Sequence, residues 1–271
     1  MLYALRTGMF QKAGLDVQLQ RIPTGAAITA AVAGGSIDIG KSSSSPILTA
    51  VARGLPLTLI APGAIYDEKT PNGTLLVAKD SPLRTAADLS GQLVGTQTLN
   101  DIAQIGAAAW IDRNGGNSQA VRWVELPMTS VVASIDEHRI AGGVITSPLM
   151  EDALAGGKVR AFAPILSGVA PHFLFSVYFT TKDWAAAHPD AVKKFAAVIV
   201  QSAAYTNAHH GEMTALIADL VGMPVAVIER MTMATGGTAL NARDIQPVID
   251  VGVKYHAIPR PFSAQEAIYK P

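Results

Sequence analysis

Gly40-Lys41-Ser42-Ser43-Ser44-Ser45-Pro46 stands between two apolar patterns of different period. Before it, Ile37-Asp38-Ile39 alternates as a short buried strand; after it, Ile47 to Arg53 has the spacing of a helix. Four hydroxyls therefore fall where a strand ends and a helix begins. Pro46 sits at or near the first helical position, where its missing N–H costs nothing. The start of a helix offers unpaired backbone N–H groups and a partial positive charge. In an open α/β sheet, ligands bind at that edge. One serine is enough for an N-cap. Ser42, Ser43, Ser44 and Ser45 in succession, with no bulky side chain among them, read as a small polar cup.

Upstream, Leu2, Leu5, Met9 and Phe10 fall at helical spacing, and Gly14 follows Lys12 as a helix-end signature. Val17 to Gln20 alternates as a strand, and Thr24-Gly25 opens an alanine-rich helix that Gly34-Gly35 stops. Downstream, Leu57 to Ala61 reads as an apolar strand, Pro62 to Glu68 as a loop, and Thr74 to Ala78 as a strand. After Asp80-Ser81-Pro82 a fresh series begins. Its strands lie over Gln92–Gly95, Ala120–Leu126, Gly142–Ile145 and Val159–Ile165, with helices between them. Thr98-Leu99-Asn100-Asp101 caps the helix that runs to about Arg113, and Ser130 to Arg139 forms another. Phe173 to Thr181 is the longest strand-like run, and from Trp184 the chain is helical. Strands alternating with helices predict α/β units with parallel pairing and right-handed crossovers. The economical layout is two lobes, 1–78 with 178–271, and 79–177. Extended segments around Val77-Ala78 and Ser176–Phe179 would cross between them as a hinge beside an interlobe cleft.

Composition narrows the function. The 271 residues are 49% hydrophobic and 15% charged, which supports a large core and argues against disorder. Lys+Arg and Asp+Glu number 21 each, so no electrostatic feature calls for nucleic acid or an anionic membrane. Absence of cysteine removes disulfides, thiolate metal sites and a cysteine nucleophile, and fits an exported bacterial protein. No apolar run is long enough to span a bilayer, and Met1-Leu2-Tyr3 opens directly into a helical pattern without a signal peptide. No G-x-G-x-x-G, Walker loop or G-x-S-x-G is present. His209, His210 and Glu212 suggest metal spacing, but adjacent helical residues diverge by about 100°. No metal and no cofactor is expected.

Gly8-Met9-Phe10-Gln11-Lys12-Ala13-Gly14-Leu15-Asp16-Val17 resembles the opening of periplasmic substrate-binding proteins of ABC importers. The class is that of nitrate, taurine and aliphatic sulfonates, which also holds binders of thiamine pyrimidine precursors. Ala33 to Gly40, Ala52-Arg53-Gly54-Leu55-Pro56-Leu57 and Asp80-Ser81-Pro82 with Ala87 to Gln92 match further family segments in the same order. The resemblance covers roughly residues 2 to 181. It implies a type II periplasmic-binding-protein fold, binding without catalysis, a permease in the inner membrane as partner, and a monomer in the periplasm. It also implies a strand and a signal peptide ahead of Met1, so an upstream extension or a shortened gene product is expected. Where the family often carries an aromatic-acid-Pro triplet, this chain has Thr146-Ser147-Pro148.

The candidate contacts are Ser42, Ser43, Ser44, Ser45, Ala64, Tyr66, Asp67, Thr98, Asn100, Asp101, Thr146 and Ser147. They are hydroxyl- and amide-rich, with Lys41 the single cation nearby. Donors at helix starts can hold a sulfonate or nitrate, whereas an unpaired divalent anion would be costly to dehydrate. A monoanionic or neutral polar solute follows. Tyr66 would stack on a planar ring and Asp67 would meet an amine, which keeps a pyrimidine open. Two other readings compete. An enzyme on the same fold, of thiamine-pyrimidine or menaquinone-pathway type, would want a cysteine motif or clustered histidines. The effector domain of a transcription regulator would want a helix-turn-helix and a basic surface.

Overall fold

The computed structural model describes residues 1–270. The chain divides into two compact units. Unit 1 comprises Met1–Ile65, Phe173–Met223 and the chain from Ala234 on; unit 2 comprises Tyr66–His172 and Pro224–Met233. The chain therefore changes unit at Ile65/Tyr66 and His172/Phe173, not around Val77-Ala78, and crosses again to place 224–233 in unit 2.

In unit 1, β1 (Gly40–Ser43) and β2 (Leu57–Pro62) flank β10 (Ser176–Thr181), each antiparallel to it. The register sets Ser43 opposite Ser176 and Gly40 opposite Phe179. A Cβ on Gly40 would enter the Phe179 ring, so a bare backbone is required there. The expected parallel pairing is thus corrected: a returning strand lies between β1 and β2. The helices are α1 (Leu2–Arg6), α2 (Met9–Lys12), α3 (Gly25–Ala33), α4 (Ser44–Ala52), α8 (Lys182–Ala187), α9 (Pro189–Ala208), α10 (His210–Val221) and α12 (Ala242–Lys254). Thr24 caps α3 by accepting from the Ala27 N–H. Pro189 opens α9, whose Val192, Phe195, Val198 and Ile199 face the core. Phe10 stacks on Phe195 at 5.5 Å, and Tyr178 meets that ring edge-on. The core thus joins the first and last thirds of the chain.

In unit 2, five strands run in the order β6 (Arg122–Glu125), β5 (Leu93–Thr96), β7 (Gly142–Thr146), β4 (Gly73–Ala78), β8 (Val159–Ala163). β5 is parallel to β6 and β7; β4 is antiparallel to β7 and β8. The sheet is mixed, and β4 belongs here instead of closing the first series. Helices α5 (Ile102–Arg113), α6 (Val131–Asp136), α7 (Leu149–Ala155) and α11 (Val225–Ile228) complete the unit. Leu76, Ile145 and Val159 of the sheet are buried together with Val131 and Ile135 of α6.

Several local expectations shift. Val17 to Gln20 is irregular, not a strand. The strand expected at Ile37–Ile39 forms three residues later, as β1, because Gly40 and Ser42 are the residues that turn inward against β10. α4 starts at Ser44, which places Pro46 in its first turn but not at the first position. Pro62–Glu68 is not a loop: Ala64–Asp67 forms β3, which pairs with β11 (Thr235–Gly236) through Ile65 opposite Thr235. The Phe173–Thr181 run is split into β9 (His172–Leu174) and β10. Among the described residues no helix is long and apolar enough to cross a membrane.

Candidate functional site

The serine run is divided between two elements. Ser42 is buried beneath the start of α3, where a Cβ on Gly25 would strike its oxygen. Ser44 is wholly buried; its Oγ donates to the Leu174 and Phe175 carbonyls at 3.1 and 3.2 Å, and its N–H donates to Phe175. Ser45 is buried as well. The cup of four hydroxyls is therefore corrected to one: Ser43, half-buried at the N-cap of α4, has no side-chain cap bond. Its hydroxyl lies at the positive end of a nine-residue helix. Lys41 is exposed by surface area, yet protein packed around its ammonium lowers its pKa.

Ala64 is held internally. Its N–H donates to Ser176 Oγ at 2.7 Å, and the Gly63 N–H donates to the Ser176 carbonyl. Ser176, buried opposite Ser43, is a residue sequence reasoning missed, because a serine in an apolar run carries no pattern of its own. Asn207 braces β11, giving its amide to the Gly236 carbonyl and accepting the Gly236 N–H at 2.9 and 2.8 Å.

In unit 2, Tyr66 is 1% exposed, so it is a core residue and not a platform for a planar ring. Its hydroxyl bonds to Ser167, and burial, with Glu68 adding, pushes its pKa up to about 12. Asp67 stays near the surface. The Lys69 N–H holds its carboxyl below the usual range, and His172 Nδ1 lies 3.5 Å away.

The ends of β5, β6 and β7 share one edge of the sheet. Thr98 and Asn100 are exposed there, Asn100 with a left-handed backbone and its N–H on Gln104 Oε1. Glu125 accepts the Leu99 N–H at 2.7 Å. Asp101 caps α5 through the Ala103 and Gln104 N–H groups. Burial outweighs those two bonds and raises its pKa to about 6. Thr146 Oγ1 reaches Met128 Sδ at 3.5 Å. Ser147, joined to Pro148 by a cis peptide, donates its hydroxyl to Glu151 Oε1 at 2.6 Å and its N–H to the Asn72 carbonyl at 2.9 Å. Thr232 N–H also donates to Glu151 Oε1. Glu151 and Asn72 were not anticipated; a glutamate in the first turn of the helix that follows Ser147-Pro148 was the available signal.

The structure thus brings Thr98, Asn100, Asp101, Thr146 and Ser147 to one edge of unit 2, and leaves Ser43 and Asp67 accessible. It withdraws Ser42, Ser44, Ser45, Ala64 and Tyr66 into structural roles. The accessible set comprises hydroxyls, amides and carboxylates and can hold a small polar molecule. Among the described residues no group of His, Asp and Glu is arranged to hold a metal.

The family described as NMT1/THI5 like matches residues 1–213. A putative aliphatic sulfonates-binding protein of Escherichia coli (strain K12) is 25% identical over 206 residues, covering 76% of this chain and 62% of that protein. The taurine-binding periplasmic protein of the same organism is 25% identical over 186 residues, 69% of this chain and 56% of that one. The chain thus spans about three fifths of the length of these relatives. The crystal structure of the periplasmic aliphatic sulphonate binding protein SsuA from Escherichia coli superposes with a TM-score of 0.81 at 22% identity. It covers 100% of this chain and 88% of that one, so the fold is that of the periplasmic binding proteins.

Proposed function

The chain belongs to the NMT1/THI5-like family, and from that premise we propose that it is the extracytoplasmic solute-binding receptor of an ABC importer. It works in the periplasm, and its partner is the importer's permease in the inner membrane. Its solute is a small polar or monoanionic organic molecule of sulfonate type, bound and released without reaction. Both curated relatives are named as binders of such molecules.

The observation that carries this reading is Ser43 at the start of α4. A hydroxyl there joins the Ser45 N–H as donors suited to a sulfonate, with no full positive charge required, while the Ser44 N–H is held by Phe175 and Pro46 has none. Neither a cysteine nor a hydrogen-bonded base accompanies it among the described residues, which suits binding better than nucleophilic attack. Strand-end residues of unit 2, among them Thr98, Asn100 and Thr146, are the further contacts in this reading.

A thermal-shift screen of alkanesulfonates, nitrate, aromatic acids and pyrimidines tests the assignment. A ligand at a hundred times its Kd adds about 2.7 kcal/mol, a clear rise in melting temperature. Stabilisation by sulfonates with the compound recovered intact is the expected result. Turnover of any of them would favour an enzyme on this fold, and no response to sulfonates would remove the solute class.

A further inference from the structure

Unit 2 holds a cavity of about 570 Å³ at the edge of its sheet opposite Thr98 and Thr146. It lies where β5, β6 and β7 begin, whereas the candidate contacts lie where those strands end. Four or five residues at about 3.3 Å each put roughly 10–15 Å between the two places. The volume is within the roughly 300–1,000 Å³ of small-molecule sites. Backbone bonds fix the walls. The Arg122 N–H donates to the Gln92 carbonyl at 2.8 Å and the Ala141 N–H to the Leu93 carbonyl at 2.9 Å, which sets three strand starts in one row. Past the end of α6, His138 has a left-handed backbone, and Arg139 donates its N–H to the Ser134 carbonyl.

Positive charge and apolar surface meet in this cavity. Arg122 and Arg139 both line it. Arg122 makes no ion pair or side-chain hydrogen bond among the described residues. Arg139 Nε lies 2.7 Å from Glu137 Oε2, but 61% of that arginine side chain is open to solvent, so its fork is accessible. Against the opposite wall, Arg84 and Arg160 donate to the Ser81 and Leu83 carbonyls. Asp88 nearby is occupied by the Arg84 and Thr85 N–H groups. Asp80 is the single acid among the described lining residues. Between these charges the lining is apolar, with Leu83, Ile135 and Ile140 buried. An isolated surface arginine is satisfied by water, but cations gathered at one concavity raise the local concentration of an anion. A guanidinium fork matches the two oxygens of a carboxylate. A bare inorganic anion would leave the apolar wall wet. We propose that this cavity is a second ligand site, apart from the candidate solute site, and that it takes a small organic carboxylate. The acid group meets Arg122 and Arg139, and the apolar body lies on Leu83 and Ile140.

The experiment is titration of the full chain with benzoate, benzamide and inorganic phosphate, followed through its backbone amides by nitrogen–proton NMR. Benzoate is expected to shift the amides lining the cavity, those of Gln92, Arg122, Arg139 and Ile140 among them, and to bind at least tenfold tighter than benzamide or phosphate. Saturating ethanesulfonate is expected to leave those shifts in place. Arg122→Ala and, separately, Arg139→Ala are expected to weaken benzoate at least tenfold, the worth of a hydrogen bond between charged groups. Circular dichroism melts check that both variants fold; the wild-type shifts need no variant. Shifts centred on Ser43, Thr98 or Thr146, or reversed by ethanesulfonate, would place benzoate in the solute site and overturn the inference. Equal binding of benzamide or phosphate, undiminished affinity in both variants, or no shift at any soluble concentration of benzoate would overturn it as well. The cavity shares no residue with the candidate solute site, so failure of the sulfonate reading would leave this inference standing, and the reverse holds too.

Discussion

Ser147 and Glu151 are joined by a 2.6 Å hydrogen bond, and the same carboxylate oxygen accepts the Thr232 N–H from the 224–233 segment. One side chain thus ties the end of β7, helix α7 and a segment that arrives from eighty residues further along the chain.

Ser147→Ala removes the hydroxyl donor and leaves Glu151 with one bond where it had two. The expected loss is about 1–3 kcal/mol of stability, the range for a buried bond to a charged group. Urea unfolding of wild type and variant reads it. A midpoint unmoved within error would mean that Glu151 carries no such role.

Ser43→Ala should weaken sulfonate binding roughly fivefold to tenfold, the worth of one hydrogen bond to an anion. Ser43→Asp should abolish it, because a carboxylate would take the helix-end donors and repel the solute. Titration calorimetry measures both, and undiminished affinity in the aspartate variant would remove α4 from the site.

The Asp101 carboxyl is raised to about 6 in the folded chain against 3.8 when unconstrained. Between those values the native state holds a proton that the unfolded chain releases. Its contribution to stability therefore falls as pH rises from about 4 to about 6 and is level above that. The full span is on the order of 2–3 kcal/mol. Asp101→Asn keeps a capping oxygen and cannot ionise. The difference in stability between variant and wild type should grow across that window in the variant's favour. Denaturant midpoints at pH 4.5 and 7 suffice, and a constant difference would contradict the assignment.

Tyr66→Phe should cost about 1 kcal/mol through the lost bond to Ser167 and leave solute affinity unchanged, since the ring is in the core. A marked loss of binding without a matching loss of stability would return Tyr66 to the site.

Gly168→Ala should destabilise unit 2 by about 3 kcal/mol or more, because the new methyl would overlap the Gly106 carbonyl oxygen and crowd the Trp110 N–H of α5. Gly211→Ala meets nothing and lies inside α10, so it should stabilise by about 0.5–1 kcal/mol. Thermal melts of the two variants should move in opposite directions.

Helix starts and stops were legible residue by residue. Thr24 and the Thr98–Asp101 segment act within three positions of the helices they open, and local hydrogen bonding decides them. The apolar strands of unit 2 were legible for a similar reason, since burial on both faces leaves a continuous run such as Leu75-Leu76-Val77. The family segments from Gly8 onward carried the fold class and the family in the same local way.

Partnership between distant segments was not written in any window. β4 and β10 each have the composition of a strand, but only the sheet they enter sets their direction and neighbours. The same holds for the site. Four adjacent serines look alike as letters; β10 and the Phe175 carbonyl take Ser44 inward and leave Ser43 out. Glu151 and Asn72 stand 79 positions apart and meet through Ser147. The chain alone therefore determined which segments become helices and strands and which family they belong to, because those depend on spacing along the backbone. Which hydroxyl faces outward and which carboxylate Ser147 holds were decided in three dimensions, because burial and hydrogen-bond pairing depend on residues that only folding brings together.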